Sequence, residues 1–248
     1  MRSFVIPVAI YLIGSFCCFG GCAVSAEPML PCGHFTQAKI ADPAPRDSDK
    51  PRRRLAELNA DIKVQPYRII YFGDSITQGW DKALWQQYLA PRGIFNAGID
   101  GDRTEHLRWR LDHGNLAGTP PQAVIVLIGT NDIGHGRPPE IAAEGVRAAI
   151  AQLRERLPTA RILLLGLWPR GATPADPLRR GAEAVNERIK TCGDGSATVY
   201  ADIGGALLDP GGVLSHAVSP DLLHFSAAGY ARIVPQLTAL IDRLVAPP

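Results

Sequence analysis

Short unbroken apolar runs alternate along the chain with stretches in which apolar residues recur every three or four positions. The runs are 68–72 (RIIYF), 94–97, 123–128 (AVIVLI), 161–167 and 197–203. Helical spacing predicts helices over 82–89, 103–111, 138–157, 177–192 and 226–245. Strands that are apolar throughout are buried on both faces, so the pattern predicts a five-stranded parallel sheet covered by helices on either side. A length of 248 residues suits one such α/β domain and is short for two. There is no internal repeat.

Two stretches stand outside this alternation. No charged residue separates Arg2 from Glu27, residues 4–19 are largely apolar, and Val24-Ser25-Ala26 supplies the small residues of a signal-peptidase site. Residues 1–26 therefore read as a signal peptide and the mature chain as exported, periplasmic or secreted. The rival readings are an uncleaved membrane anchor, which Pro7 and Gly20-Gly21 disfavour, and a lipoprotein attached at Cys22. That lipobox has Phe19 where a leucine-like residue is expected. Residues 39–54 are rich in proline and charge and nearly devoid of large apolar side chains, the composition of a solvated linker or loosely packed strap. They fall within an N-terminal extension, 27–66, that precedes a folded domain at 67–248. Arg52, Arg53 and Arg54 read as the solvated start of a short helix.

Composition narrows the partners. The formal net charge is +2, with basic residues dispersed, which argues against nucleic acid or stable association with a membrane once the signal is removed. A small-molecule or glycan ester of little charge fits better. Removal of 1–26 takes away Cys17, Cys18 and Cys22 and leaves Cys32 and Cys192, either one disulfide or two unrelated thiols. No Cys or His pair has metal-ligand spacing, so neither a metal nor another cofactor is expected.

The polar motifs follow the apolar runs. Gly73-Asp74-Ser75-Ile76 comes directly after the first, at a strand-to-helix turn. Ser75 there is either an exposed nucleophile awaiting a base or a helix cap. Asp221-Leu222-Leu223-His224 lies in the last loop, where Asp221 can orient one ring nitrogen of His224 and leave the other to accept a proton from Ser75. The five other histidines, His34, His106, His113, His135 and His216, lack such a partner and read as packing or surface residues. Donors for an oxyanion are offered by the N–H groups of Ser75 and Gly101 and by the Asn131 side chain. Each is ambiguous alone, but all converge on the carboxyl edge of one sheet, where doubly wound folds assemble their sites.

Taken together, GDSI at 73–76, the glycine loop at 98–102, GTND at 129–132 and DLLH at 221–224 resemble the four motifs of the SGNH (GDSL-type) hydrolases. The resemblance spans nearly all of 67–245. It is strongest to the catalytic subunits of intracellular platelet-activating-factor acetylhydrolase and their bacterial relatives, through FNAGIDGDRTEHLRWRLDHGNL, LLGLWPRGATPADPLRR and GGVLSHAVSPDLLHFSAAGY. It implies a flavodoxin-like three-layer α/β/α sandwich and a serine esterase with Ser75 as nucleophile, His224 as base and Asp221 orienting it. It implies also that Gly101 and Asn131 complete the oxyanion hole, that the substrate is a short-chain ester, foremost acetyl, and that a homodimer is an available assembly. Export suggests O-acetyl groups on a polysaccharide. A lipid or lysophospholipid esterase and an O-acetyltransferase with the same triad are the alternatives. Two positions depart from the family pattern: Asp100 stands where close relatives carry a second glycine, and Ile76 replaces the leucine of GDSL. Trp80, Trp85, Trp109 and Trp168 are candidates for stacking on a sugar, with packing the plainer reading for Trp109.

Overall fold

The computed structural model describes residue 32 and residues 40–246. The expected signal segment, with Cys17, Cys18 and Cys22, lies outside the described residues. Five strands, β1 (Ile69–Gly73), β2 (Ile94–Gly98), β3 (Ala123–Leu127), β4 (Arg161–Leu165) and β5 (Thr198–Ala201), form one parallel sheet in the order β2-β1-β3-β4-β5. The helices are α1 (Asp49–Asp61), α2 (Ser75–Gln78), α3 (Lys82–Leu84), α4 (Thr104–Asp112), α5 (Thr130–Gly134), α6 (Pro139–Arg156), α7 (Pro177–Ile189) and α8 (Ala227–Leu244). Helices α4, α6 and α7 contact one another in sequence, whereas α8 packs on β4 and α3. This is the expected three-layer sandwich.

Its central strands are apolar because neither face meets water: every residue of β1 and β3 is buried. The strand order reverses direction between β1 and β3, so the loops leaving these two strands part and open a crevice at the carboxyl edge. Register places Gly73 beside Gly98 on one side and Leu127 on the other. The motifs that begin at Gly73, at Gly98 and two residues past Leu127 therefore emerge side by side.

The N-terminal extension belongs to this body more closely than a boundary at residue 67 would suggest. Leu58 of α1 and Ile62 just after it are buried in the main core. Leu55, Leu58 and Ile62 follow the i, i+3, i+7 rule, a signal that the charge of the preceding residues obscures. Helix α1 also covers the outer edge of β2, where Arg54 donates to Asn96 O (3.1 Å) and Gly98 O (3.4 Å). A disulfide joins Cys32 to Cys192, which answers the question the cysteine count left open.

Of the predicted helices, 82–89 differs most. After α3 the chain widens into a π turn (Trp85–Leu89) and then tightens into a 3-10 turn (Ala90–Arg92) containing Pro91, and Gly93 in the left-handed region (φ 67°) closes the segment. Among the described residues no helix is long and apolar enough to cross a membrane.

Candidate active site

Ser75 is the first residue of α2, two positions past the end of β1. Asp74 caps this short helix, its Oδ1 accepting the Ile76 N–H at 2.9 Å. The turn needs glycine before it: a Cβ on Gly73 would lie 2.8 Å from Leu127 O and closer still to Thr77. Ser75 is half-buried and faces the crevice that receives the last loop.

That loop is bent so that two of its side chains point back. Leu222 has φ 61°, the one positive φ among the described non-glycine residues, a conformation that costs on the order of 1 kcal/mol or more. The strain is held by Gly171 N–H, which donates to Leu222 O at 2.9 Å, and by Ser219 Oγ on His224 O at 2.8 Å. In return the Asp221 carboxylate folds over its own loop: Oδ1 accepts the N–H groups of Leu223 (3.0 Å) and His224 (2.7 Å), and Oδ2 lies 2.6 Å from His224 Nδ1. On the far side of the ring, His224 Nε2 is 2.9 Å from Ser75 Oγ. Partial burial works against the Asp221 charge, but the ring and the two backbone N–H groups outweigh it and hold the carboxyl down at about 2. An ionised carboxylate only accepts, so Nδ1 carries the ring proton and Nε2 is the acceptor that faces the serine hydroxyl.

Asn131 lies beside the glycine loop that carries Gly101. Asn131 is in the first turn of α5, and its Nδ2 donates to Asp102 O at 3.0 Å, tying it to the glycine loop. Gly101 has φ 74°, closed to most side chains, and sits third in a turn in which Asp102 N–H donates to Ile99 O. Asp100, the residue that departs from the family pattern, donates its N–H to Gln78 Oε1 at 2.7 Å and pairs its carboxylate with Lys50 at 2.9 Å. Its charge is thus matched by the N-terminal extension.

Beneath the loops lies a buried charged network that composition does not reveal. Arg110, fully buried, donates to Asp102 Oδ2 (2.8 Å), Asn115 Oδ1 (2.5 Å) and Gly73 O (2.9 Å). Asp132 accepts from Thr104 N and Oγ1 and pairs with Arg137, which also grips Glu105. Arg170 donates to Thr130 O at 2.7 Å, one residue before Asn131. These contacts fix the loops relative to one another, and Asp132 and Arg170 belong to the GTND and LWPRG stretches, whose spacing does not mark them as parts of a network. Of the tryptophans, Trp80 and Trp168 are buried in an aromatic cluster with Tyr230 and Phe225 and offer no face to a sugar. Trp85 sets its edge against Trp80, and Trp109 stacks on His113 at 3.8 Å. His106 is buried and accepts the Arg103 N–H.

Residues 71–232 match the GDSL-like Lipase/Acylhydrolase family. The chain belongs to that family. It is 35% identical to human platelet-activating factor acetylhydrolase IB subunit alpha1 over 189 residues, covering 75% of this chain and 80% of that one. A Streptococcus pneumonia structure, provisionally described as a platelet activating factor, superposes with a TM-score of 0.69 at 25% identity, covering 77% of this chain and 92% of that one. The fold also resembles a catalytic mutant of an acetylxylan esterase from Geobacillus stearothermophilus, with a TM-score of 0.57, 19% identity, and coverage of 76% and 100%. As a GDSL acylhydrolase with acetylhydrolase relatives at 35% identity, the chain is a carboxylic ester hydrolase.

Proposed function

We propose that this hydrolase is an extracytoplasmic serine esterase that removes short acyl groups, foremost acetyl, through an acyl-enzyme on Ser75. The observation that carries the reading is the continuous chain from Asp221 through His224 to Ser75, at 2.6 and 2.9 Å. Ser75 Oγ attacks the ester carbonyl carbon as its proton passes to His224 Nε2. The carbonyl oxygen becomes an oxyanion, received by the N–H groups of Ser75 and Gly101 and by Asn131 Nδ2. Collapse breaks the bond to the leaving oxygen, which takes the proton from His224 and departs as the alcohol. Water then attacks the acyl-Ser75 carbonyl, giving a proton to His224 Nε2. The second collapse returns that proton to Ser75 Oγ and releases the acid.

The acetyl preference is supported by the name of the relatives at 35% identity, which are acetylhydrolases. An oxidising compartment is supported by the Cys32–Cys192 disulfide, and with the apolar N-terminus it favours an acetyl group carried by a polysaccharide outside the cytoplasm. Ser75→Ala is expected to lower turnover of p-nitrophenyl acetate by at least about a thousandfold while the fold is retained. It should also abolish labelling by a fluorophosphonate. Undiminished turnover or labelling in that variant rules out the mechanism. Acetate release from acetylated polysaccharides, set against a p-nitrophenyl ester chain-length series, separates the glycan esterase from a lipid esterase.

A further inference from the structure

The Gly101 turn is fastened from several directions. Its first N–H after Ile99 goes to Gln78, Asn131 holds Asp102 O, and the buried Arg110 holds the Asp102 carboxylate. On its outer side Gly101 O accepts from Nη1 of Arg46. Arg46 lies in the N-terminal strap, 55 residues earlier and outside the 71–232 span of the family match. The end of its guanidinium also abuts the glycine: a Cβ on Gly101 would be 2.9 Å from Nη2 and 3.0 Å from Nη1.

The strap is built to deliver this group. Arg52 Nε donates to Arg46 O at 2.9 Å, Arg108 donates to Ala41 O at 2.9 Å, and Lys50 reaches Asp100 in the same turn. Close packing contributes less, because the strap stands off the domain over a cavity of about 210 Å³ lined by Pro45, Pro51, Leu55, Ile99 and Trp109. Polar anchors at chosen points therefore set its height above the glycine loop. Gly101 occupies the third position of its turn with positive φ, the type II arrangement, so the direction of its N–H depends on how the turn as a whole is held.

We propose that Arg46 is a positioning residue for the oxyanion site: its guanidinium pins the Gly101 carbonyl so that the Gly101 N–H faces the oxygen of the tetrahedral intermediate. The inference rests on Gly101 acting as an oxyanion donor. A donor aimed in advance needs no reorganisation as charge develops, and an offset of about 1 Å in such a group lowers rate far more than binding.

The test uses the full chain and p-nitrophenyl acetate. Arg46→Ala is expected to lower kcat by about 10- to 100-fold, the scale of one charge-assisted hydrogen bond, with KM changed by no more than about twofold. Methylguanidinium added to Arg46→Ala should restore part of kcat and leave the wild type unchanged. Arg46→Lys, which keeps a cation on the strap, should fall between the two and covers the case in which alanine loosens the strap. Arg53→Ala, an exposed arginine on α1, is the control and should match the wild type. Wild-type kcat in Arg46→Ala overturns the proposal, as does a loss that neither methylguanidinium nor lysine relieves. Retained turnover in Ser75→Ala is a separate result, and it is the esterase mechanism that then fails.

Discussion

Asp74 shows how much the residue beside Ser75 is asked to do. It caps α2 through Oδ1, and it is buried with almost no exposure near the carboxylates of Asp102 and Asp132. Burial pushes its carboxyl up to about 7, against the pull of the Ile76 N–H. In the unfolded chain the group ionises near the ordinary aspartate value of about 3.9. Between these values the folded state binds a proton that the unfolded state has released, so this group's contribution to stability falls as pH rises through the window. Asp74→Asn keeps the capping oxygen and removes the titration. Its unfolding free energy is expected to gain on the wild type progressively from pH 4 to pH 8, as measured by urea denaturation at several pH values. A constant difference across that range would count against a buried, titrating Asp74. At this scale Ser75, Gly101, Asn131, Asp221 and His224 were legible because each belongs to a motif at the carboxyl end of a strand or ahead of the last helix. Arg46 was not: a side chain that acts on a backbone carbonyl 55 residues away leaves no pattern in its own neighbourhood.

Among the elements, strands were the easiest to read. Their continuous apolar runs follow from burial on two faces: β1 and β2 each run one residue further than their apolar runs, to Gly73 and Gly98, and β3, β4 and β5 end one or two residues sooner. The predicted helix 82–89 is irregular from Trp85 onward, because apolar spacing does not distinguish an α turn from a π turn, and the 3-10 turn with Pro91 follows beyond its predicted end. The element that matters most for the site is the contact of α2 with β2. A Cβ on Gly98 would lie 2.8 Å from Gln78 Cα and nearer still to Gln78 N, both backbone atoms of α2. Gly98→Ala should therefore lower stability by about 1–3 kcal/mol and displace Ser75, so that turnover falls beyond what partial unfolding explains. Calorimetry with parallel ester assays tests this, and wild-type values in both would contradict so close an approach.

The whole molecule is closed by one covalent link. Cys32–Cys192 encloses a 160-residue loop that contains the strap, the first four strands and the seven helices before α8. Constraining an unfolded loop of this length is worth about 4–5 kcal/mol by chain entropy and typically 2–5 kcal/mol in practice. Replacing both cysteines with serine is expected to lower the unfolding free energy by about 2–5 kcal/mol, measured in denaturant, and dithiothreitol should bring the wild type toward the variant. An unchanged midpoint would mean the link is dispensable to the fold. The sequence counts these two cysteines but does not pair them, since nothing along the chain records that Cys32, ahead of the strap, and the turn that follows α7 come together.

His224 lies outside that closed loop, 149 residues from Ser75, and it is carried by the chain just ahead of α8. Tyr230 of α8 reaches back to donate to Ile76 O at 2.7 Å, so the last helix is bolted to the turn that bears the nucleophile. A chain whose last helix is undocked lacks the contact between His224 and Ser75, although Ser75, Gly101 and Asn131 all precede that helix. With His224 acting as the proposed base, ester cleavage reports the docking of α8: in refolding, activity is expected to return with that docking and no earlier.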